Sequence, residues 1–362
     1  GAIITTPDAR AIKEGEKVNG FCINGVPNLI IGDIKKLADF AGVTSAKIPG
    51  YWIHKPDAEL AVASPPQPGE KVVLNLHGGA YIRMSAHPDD VTANIPKGLL
   101  KHIGSVKRVL NVEYRLSSGK PFAVANPFPT ALLDAIAGYS YLVNDIGFSP
   151  KDIIVCGDSA GGNLAHALTR YLVEHHHSTE AKIPAPPGAL ILLSPWSDIS
   201  PRHDTLVGGS ATANVKTDYI GVVGSTYPKD AFVGPHTMAI ADCNPYISPA
   251  SLHPDCKVSF KGFPRTFIVG GGSEVLIDQI RTLKGRFVKD LGEGNGVKDG
   301  EGKVKYYEAP YAIHDYLVFP WHEPERSETL SAIAEWVDAT NTGGQSCLSN
   351  AIHSPDAIAD AA

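Results

Sequence analysis

A chain of 362 residues with 43% hydrophobic and 19% charged residues can bury a large core, as one α/β unit or as a core carrying a lid. Its net charge of −6, with no cluster of Lys or Arg, argues against nucleic acid or an anionic membrane surface as a partner. No apolar run approaches the roughly 18 residues of a membrane span, and the scattered, odd-numbered cysteines (Cys22, Cys156, Cys243, Cys256, Cys347) are unlike a disulfide framework or a paired metal site. Residues 1–20 lack a basic region followed by an apolar run, so a cytoplasmic location is expected. Secretion stays open because the sequence begins without Met, and in that case Cys243 and Cys256 are candidates to pair.

In chain order, Asn28 to Phe40 carries Leu29, Ile30, Ile31, Ile34 and Leu37 at helical spacing; with the rest of residues 1–42 it is assigned to an N-terminal lid segment. Val43 to His54 reads as the first strand, Lys71 to Leu76 as the second and Val106 to Tyr114 as the third. A helix is expected from Ala131 to Asn144, where Leu132, Leu133, Ile136, Tyr139 and Leu142 share one face. Strands follow at Ile153 to Cys156, Ala189 to Leu193, Phe263 to Gly270 and around Tyr306-Tyr307-Glu308, with helices at Ala160 to Val173 and Ser327 to Asp338. This alternation predicts a parallel sheet covered on both faces, with ligands at the carboxyl ends of the strands. The polar stretch between Trp196 and Phe263 holds one expected helix, Thr217 to Tyr227, and is too long for an ordinary connection. Residues 200–262 are therefore assigned to a lid insertion between core segments 43–199 and 263–340, with 341–362 as a tail.

Gly157-Asp158-Ser159-Ala160-Gly161-Gly162 directly follows the apolar run Ile153 to Cys156. A serine hydroxyl needs exposure and a neighbouring base to attack, and a sharp strand-to-helix turn between glycines provides the exposure. The helix after it aims its positive end at an oxyanion forming there. His77-Gly78-Gly79-Ala80-Tyr81 ends the second strand, where backbone N–H groups can approach that oxyanion. Asp158 reads as a structural acid of the elbow, since adjacent side chains on a tight turn point apart. Asp198 reads as a structural or lid-anchoring acid.

These two motifs, with Tyr114-Arg115-Leu116 and Phe128-Pro129 between them, resemble the hormone-sensitive-lipase-like family of α/β-hydrolase carboxylesterases over about residues 70 to 340. The resemblance implies an eight-stranded, mostly parallel sheet, a helical cap, no cofactor or metal, and hydrolysis of a small-molecule ester. It also makes a homodimer one of the expected states. The oxyanion donors fall at Gly79, Ala80 and Ala160, with Gly78 freeing the turn; Ala80 stands where members usually have a third glycine. The base resembles the family's His-Gly-Phe position at His314, with Asp315-Tyr316 in place of Gly-Phe and His322 as the weaker choice. In Gly270-Gly271-Gly272-Ser273-Glu274-Val275-Leu276-Ile277-Asp278, the family's triad acid aligns with Glu274, while Asp278 suits the start of the next helix. The expected activity is a serine carboxylesterase on short- to medium-chain esters through an acyl-enzyme. Acyl transfer, amide, formamide or lactone hydrolysis, and a non-catalytic binding protein on the same fold are the alternatives.

Overall fold

The apolar runs close into a single eight-stranded sheet in the computed structural model, which describes residues 11–221 and 226–344. The strands are β1 (Asn19–Ile23), β2 (Ile48–His54), β3 (Lys71–Leu76), β4 (Val106–Val112), β5 (Ile153–Asp158), β6 (Ala189–Leu193), β7 (Arg265–Gly271) and β8 (Val304–Ala309). Their spatial order is β1-β2-β4-β3-β5-β6-β7-β8. The β1–β2 and β2–β4 pairs are antiparallel, and every pair from β4 to β8 is parallel. A strand covered on both faces needs no polar alternation, and β3, β5 and β6 accordingly read Val-Val-Leu, Ile-Ile-Val and Leu-Ile-Leu-Leu through fully buried positions.

The described helices are α1 (Gly32–Ala41), α2 (Asn94–His102), α3 (Thr130–Ser140), α4 (Ala160–His175), α5 (Ser210–Ala213), α6 (Tyr227–Val233), α7 (Ala239–Cys243), α8 (Ile277–Leu291) and α9 (Glu325–Asp338). Side chains of α1, α3, α4 and α8 build the core on one face of the sheet; those of α2 and α9 build it on the other. None of the described helices is long and apolar enough to cross a membrane.

Four expectations need correction. The first concerns the lid segment expected over residues 1–42: residues 1–10 lie outside the described residues, and Asn19–Ile23 hydrogen-bonds to β2 as the sheet's edge strand rather than joining a lid. The Tyr171 hydroxyl on α4 donates to Leu29 O (2.6 Å) and accepts from Ile31 N (2.9 Å), which fixes the entry to α1 against the core. Second, the strand expected from Val43 begins only at Ile48, because α1 ends at Gly42 in the left-handed region (φ 67°) and 43–47 carries no regular structure. Third, α3 stops at Ser140 and gives way to a wider turn over Tyr141–Ile146. Fourth, 217–221 is turn rather than helix, and 222–225 lie outside the described residues; α5, α6 and α7 occupy the 200–262 stretch instead. Of the tail, 345–362 also lie outside the described residues. Cys243 and Cys256 are both free, and Cys243 Sγ lies 3.3 Å from His253 Nδ1.

Candidate active site

Between β5 and α4 the chain reverses at Ser159, whose φ of 50° and ψ of −117° are rare for a residue with a Cβ. Such a conformation costs on the order of 1–3 kcal/mol and persists only where its surroundings over-determine it. Here Ser159 N donates to Leu193 O (2.9 Å), and Ser159 O accepts from Asn163 N (3.0 Å) and Trp196 N (2.9 Å). The glycines let backbones come close: a Cβ on Gly161 would lie 1.9 Å from Leu76 O, and one on Gly157 would lie 2.0 Å from Gly161 O.

His314 comes from the loop after β8 and meets the serine 155 residues away in sequence, its Nε2 lying 2.9 Å from Ser159 Oγ. Its Nδ1 lies 3.0 Å from Glu274 Oε1. With Nδ1–H donating to the carboxylate, Nε2 is free to accept the serine proton, the tautomer a general base requires. Glu274 is fully buried in the turn between β7 and α8, and its Oε2 accepts from Ser194 Oγ (2.7 Å) and Gly271 N (2.7 Å). Burial raises the Glu274 carboxyl, and the bonds from His314, Ser194 and Gly271 offset part of that rise. Burial also works against a His314 cation. The charges and hydrogen bonds of Asp315 and Glu274 more than offset it and hold His314 well above the usual imidazole range.

The two rival residues lie elsewhere. Asp278 sits in the first turn of α8, accepts from Ser210 N (2.7 Å) and so ties α5 to that turn. His322 Nδ1 lies 3.2 Å from Glu325 Oε2 at the entry to α9. Asp198 pairs with His203 (2.6 Å) and caps Ser200 N (3.0 Å), at the start of the 200–262 stretch.

Gly79 and Ala80 line the same cavity as Ser159. In the described turns and loops no carbonyl accepts from the amides of Gly79, Ala80 or Ala160. Gly79 has φ 118°, and a Cβ there would lie 2.2 Å from Arg83 O, so this position, the first of the expected donors, needs glycine. Ala80 adopts φ 54°, a left-handed conformation that its methyl group disfavours. Gly78 is held to glycine by size, since a Cβ would lie 2.4 Å from Asp158 Oδ2.

The cavity over the serine has a volume of about 1170 Å³ and is lined largely by apolar side chains, among them Trp196, Tyr219, Ile220, Met238, Phe319 and Trp321.

Three supporting residues carry no sequence motif of their own. Ser194 Oγ donates to Glu274 and accepts from Asp315 N (3.2 Å), joining the acid loop to the histidine loop. Asp218 does the same from the 200–262 stretch, accepting from His314 N (3.2 Å) and Val275 N (2.9 Å). Asn163, one helical turn after the serine, donates to Trp196 O and Ile247 O (both 2.8 Å) and accepts from the Tyr81 hydroxyl (2.7 Å). The Asn163 spacing from Ser159 was available in the sequence; Ser194 and Asp218 depend on loop packing.

A family profile described as alpha/beta hydrolase fold matches residues 73–317. The chain belongs to this family. Among curated relatives, Esterase LipU of Mycobacterium tuberculosis is 29% identical over 77% of this chain and 82% of its own length. An esterase of Acinetobacter venetianus is 27% identical over 74% of each, and an acetyl-hydrolase of Streptomyces hygroscopicus is 28% identical over 73% of each. Solved structures share the hydrolase fold. An esterase/lipase from an uncultured bacterium aligns with a TM-score of 0.61 at 24% identity, covering 91% of this chain and 87% of its own. A hormone-sensitive lipase from a metagenome library aligns at 0.60 and 24%, covering 81% and 82%.

Proposed function

We propose that this chain is a serine carboxylesterase that works through an acyl-enzyme on short- to medium-chain esters. The observation that carries the proposal is the Ser159–His314–Glu274 relay, with contacts of 2.9 and 3.0 Å at the floor of the apolar cavity. The names of the curated relatives, esterases and an acetyl-hydrolase, agree with it.

His314 Nε2 takes the Ser159 proton as Oγ attacks the ester carbonyl, and Glu274 stabilises the imidazolium that results. The carbonyl oxygen becomes an oxyanion held by the amides of Gly79, Ala80 and Ala160, each donor being worth on the order of 10²- to 10³-fold in turnover. His314 then gives its proton to the leaving alkoxide, and the acyl group stays on Ser159. A water deprotonated by the same nitrogen attacks the acyl carbon, and the proton returns to Ser159 as the acid leaves. Residues 200–262 act as the cap of this site, since Tyr219, Ile220 and Met238 from that stretch wall the cavity.

Turnover of a chain-length series of p-nitrophenyl esters by wild type and Ser159→Ala tests the assignment. Expected is a loss on the order of 10⁴- to 10⁶-fold in the variant, with a wild-type optimum below C12. Wild-type rates in Ser159→Ala would exclude the serine, and an optimum at C12 or longer would exclude the substrate class.

A further inference from the structure

Beside the relay lies a pair of acids that the steps above do not use. Asp158, immediately before the serine, is 1% exposed, and Asp315, immediately after the histidine, is 8% exposed. Both oxygens of Asp158 and Oδ1 of Asp315 are buried without a hydrogen-bond donor at bonding distance among the described residues. Burial first, and the neighbouring Asp315 second, push the Asp158 carboxyl well above the carboxylate range. Two neighbouring buried carboxyls resist carrying two negative charges, and a proton on Asp158 relieves that repulsion. Asp158 O–H then donates to Asp315, whose remaining oxygen Oδ2 lies 3.2 Å from His314 Nε2. That is the nitrogen that must accept the proton of Ser159.

The geometry points to Asp315 as a positioning residue: the one-proton pair it forms with Asp158 keeps an anion against His314 Nε2 and retains the imidazole proton to higher pH. This rests on the reading of His314 as the base. An imidazolium bridging Glu274 at Nδ1 and Asp315 at Nε2 cannot accept from serine, so hydrolysis starts only as that proton is lost.

The other groups facing His314 are unchanged in the Asp315 variants, and of them Glu274 also raises the imidazole. Glu274 comes from the turn after β7 and serves the opposite nitrogen. Asp218 meets only the backbone amide of His314. Tyr219, whose ring centre is 6.1 Å from the imidazole, is kept neutral by burial and by the surrounding carboxylates. Asp315 adopts φ 51° and ψ 35°, a backbone conformation that glycine takes without strain, so replacing it by glycine does not disturb the loop.

The test is the pH dependence of kcat/KM for a short p-nitrophenyl ester, read at the isosbestic point of p-nitrophenol, in wild type, Asp315→Asn, Asp315→Gly and Asp158→Asn. Plateau heights are fitted separately from the acid limb. Removing the anion lowers the pKa of His314, so the base is neutral at lower pH. The acid limb of both Asp315 variants is expected to move down by about one unit or more, a tenfold gain in relative activity on the wild-type limb. Asp158→Asn keeps a neutral donor to Asp315, and its limb is expected to stay within a few tenths of a unit of wild type. Unmoved limbs in both Asp315 variants overturn the inference. An Asp158→Asn limb that drops as far as theirs also overturns it, by placing the charge on Asp158. Because every arm is read in an active enzyme, these failures are distinct from failure of the serine assignment, which would appear as retained turnover in Ser159→Ala.

Discussion

Replacing Glu274 by Gln leaves shape and volume almost unchanged and alters one thing, the proton pattern at His314. Oε2 of Glu274 is fixed by two donors, Ser194 Oγ and Gly271 N, each at 2.7 Å. In Glu274→Gln those donors hold the amide oxygen on their side, and the NH₂ group faces His314 Nδ1. Nδ1 must then accept, the ring proton moves to Nε2, and Nε2 donates toward Ser159 Oγ instead of accepting from it. The imidazolium formed during attack also loses its counter-ion. An acid-to-amide change of this kind in a serine triad lowers kcat by about 10⁴, which is about 5.4 kcal/mol at 1.36 kcal/mol per decade. Folding is not expected to suffer, because a neutral amide escapes the burial cost that raises the Glu274 carboxyl. The assay is steady-state hydrolysis of a short p-nitrophenyl ester alongside a thermal melt, with Asp278→Asn as the control. Asp278 accepts from Ser210 N, a bond that an amide oxygen can still make, so that variant is expected to stay within a few-fold of wild type. A well-folded Glu274→Gln enzyme that keeps a tenth of wild-type kcat, or an Asp278→Asn enzyme that loses as much as Glu274→Gln, would refute the assignment of the acid.

Ala80→Gly is expected to stabilise the fold by about 0.5–1 kcal/mol, because it relieves the left-handed strain at φ 54°, less the entropy a glycine adds to the unfolded chain. The backbone donor survives, so hydrolysis should persist, and urea unfolding with an ester assay checks both. Gly161→Ala is expected to yield little folded protein, since its methyl group would lie 1.9 Å from Leu76 O; the soluble fraction after expression reads this directly. Glu113 is penalised by burial, but the His77 imidazole 3.7 Å away and the hydrogen bonds from Ser85 and Ala86 outweigh that and hold its carboxyl below the reference value of 4.5. A lowered folded-state pKa gives stability that is complete above about 4.5 and fades as pH falls through the lowered value. The stability gap between wild type and Glu113→Gln should therefore be about 2 kcal/mol at pH 6 and shrink below pH 4 in urea titrations. A gap independent of pH would contradict that linkage.

The parts of the site that depend on backbone geometry were legible in the sequence. Gly157, Gly161, Gly78 and Gly79 mark places where a Cβ would collide with a carbonyl or a carboxylate, so their spacing records the two tight backbone approaches directly. His314 and Glu274 were found through chain order and the family resemblance, and the geometry brings both to Ser159. β3, β5 and β6 were legible because strands buried on both faces are unbroken apolar runs. β1 was not, because an edge strand of five residues with one fully buried position has no periodic pattern to read. α5, α6 and α7 have 4, 7 and 5 residues, too few for a helical period to stand out. Asp218 and Ser194 act through loops that only the folded chain brings against Glu274 and His314. The nearness of Asp158 and Asp315 is of the same kind, with each acid next to a motif residue and the two 157 positions apart.

The serine's role as nucleophile is tested most directly by intact-mass and peptide-mapping analysis after reaction with a fluorophosphonate. Wild type should gain one adduct per chain, located on Ser159, while Ser159→Ala gains none over the same time. An adduct on another residue, or labelling of Ser159→Ala at the wild-type rate, would contradict the proposal that Ser159 is the group His314 activates.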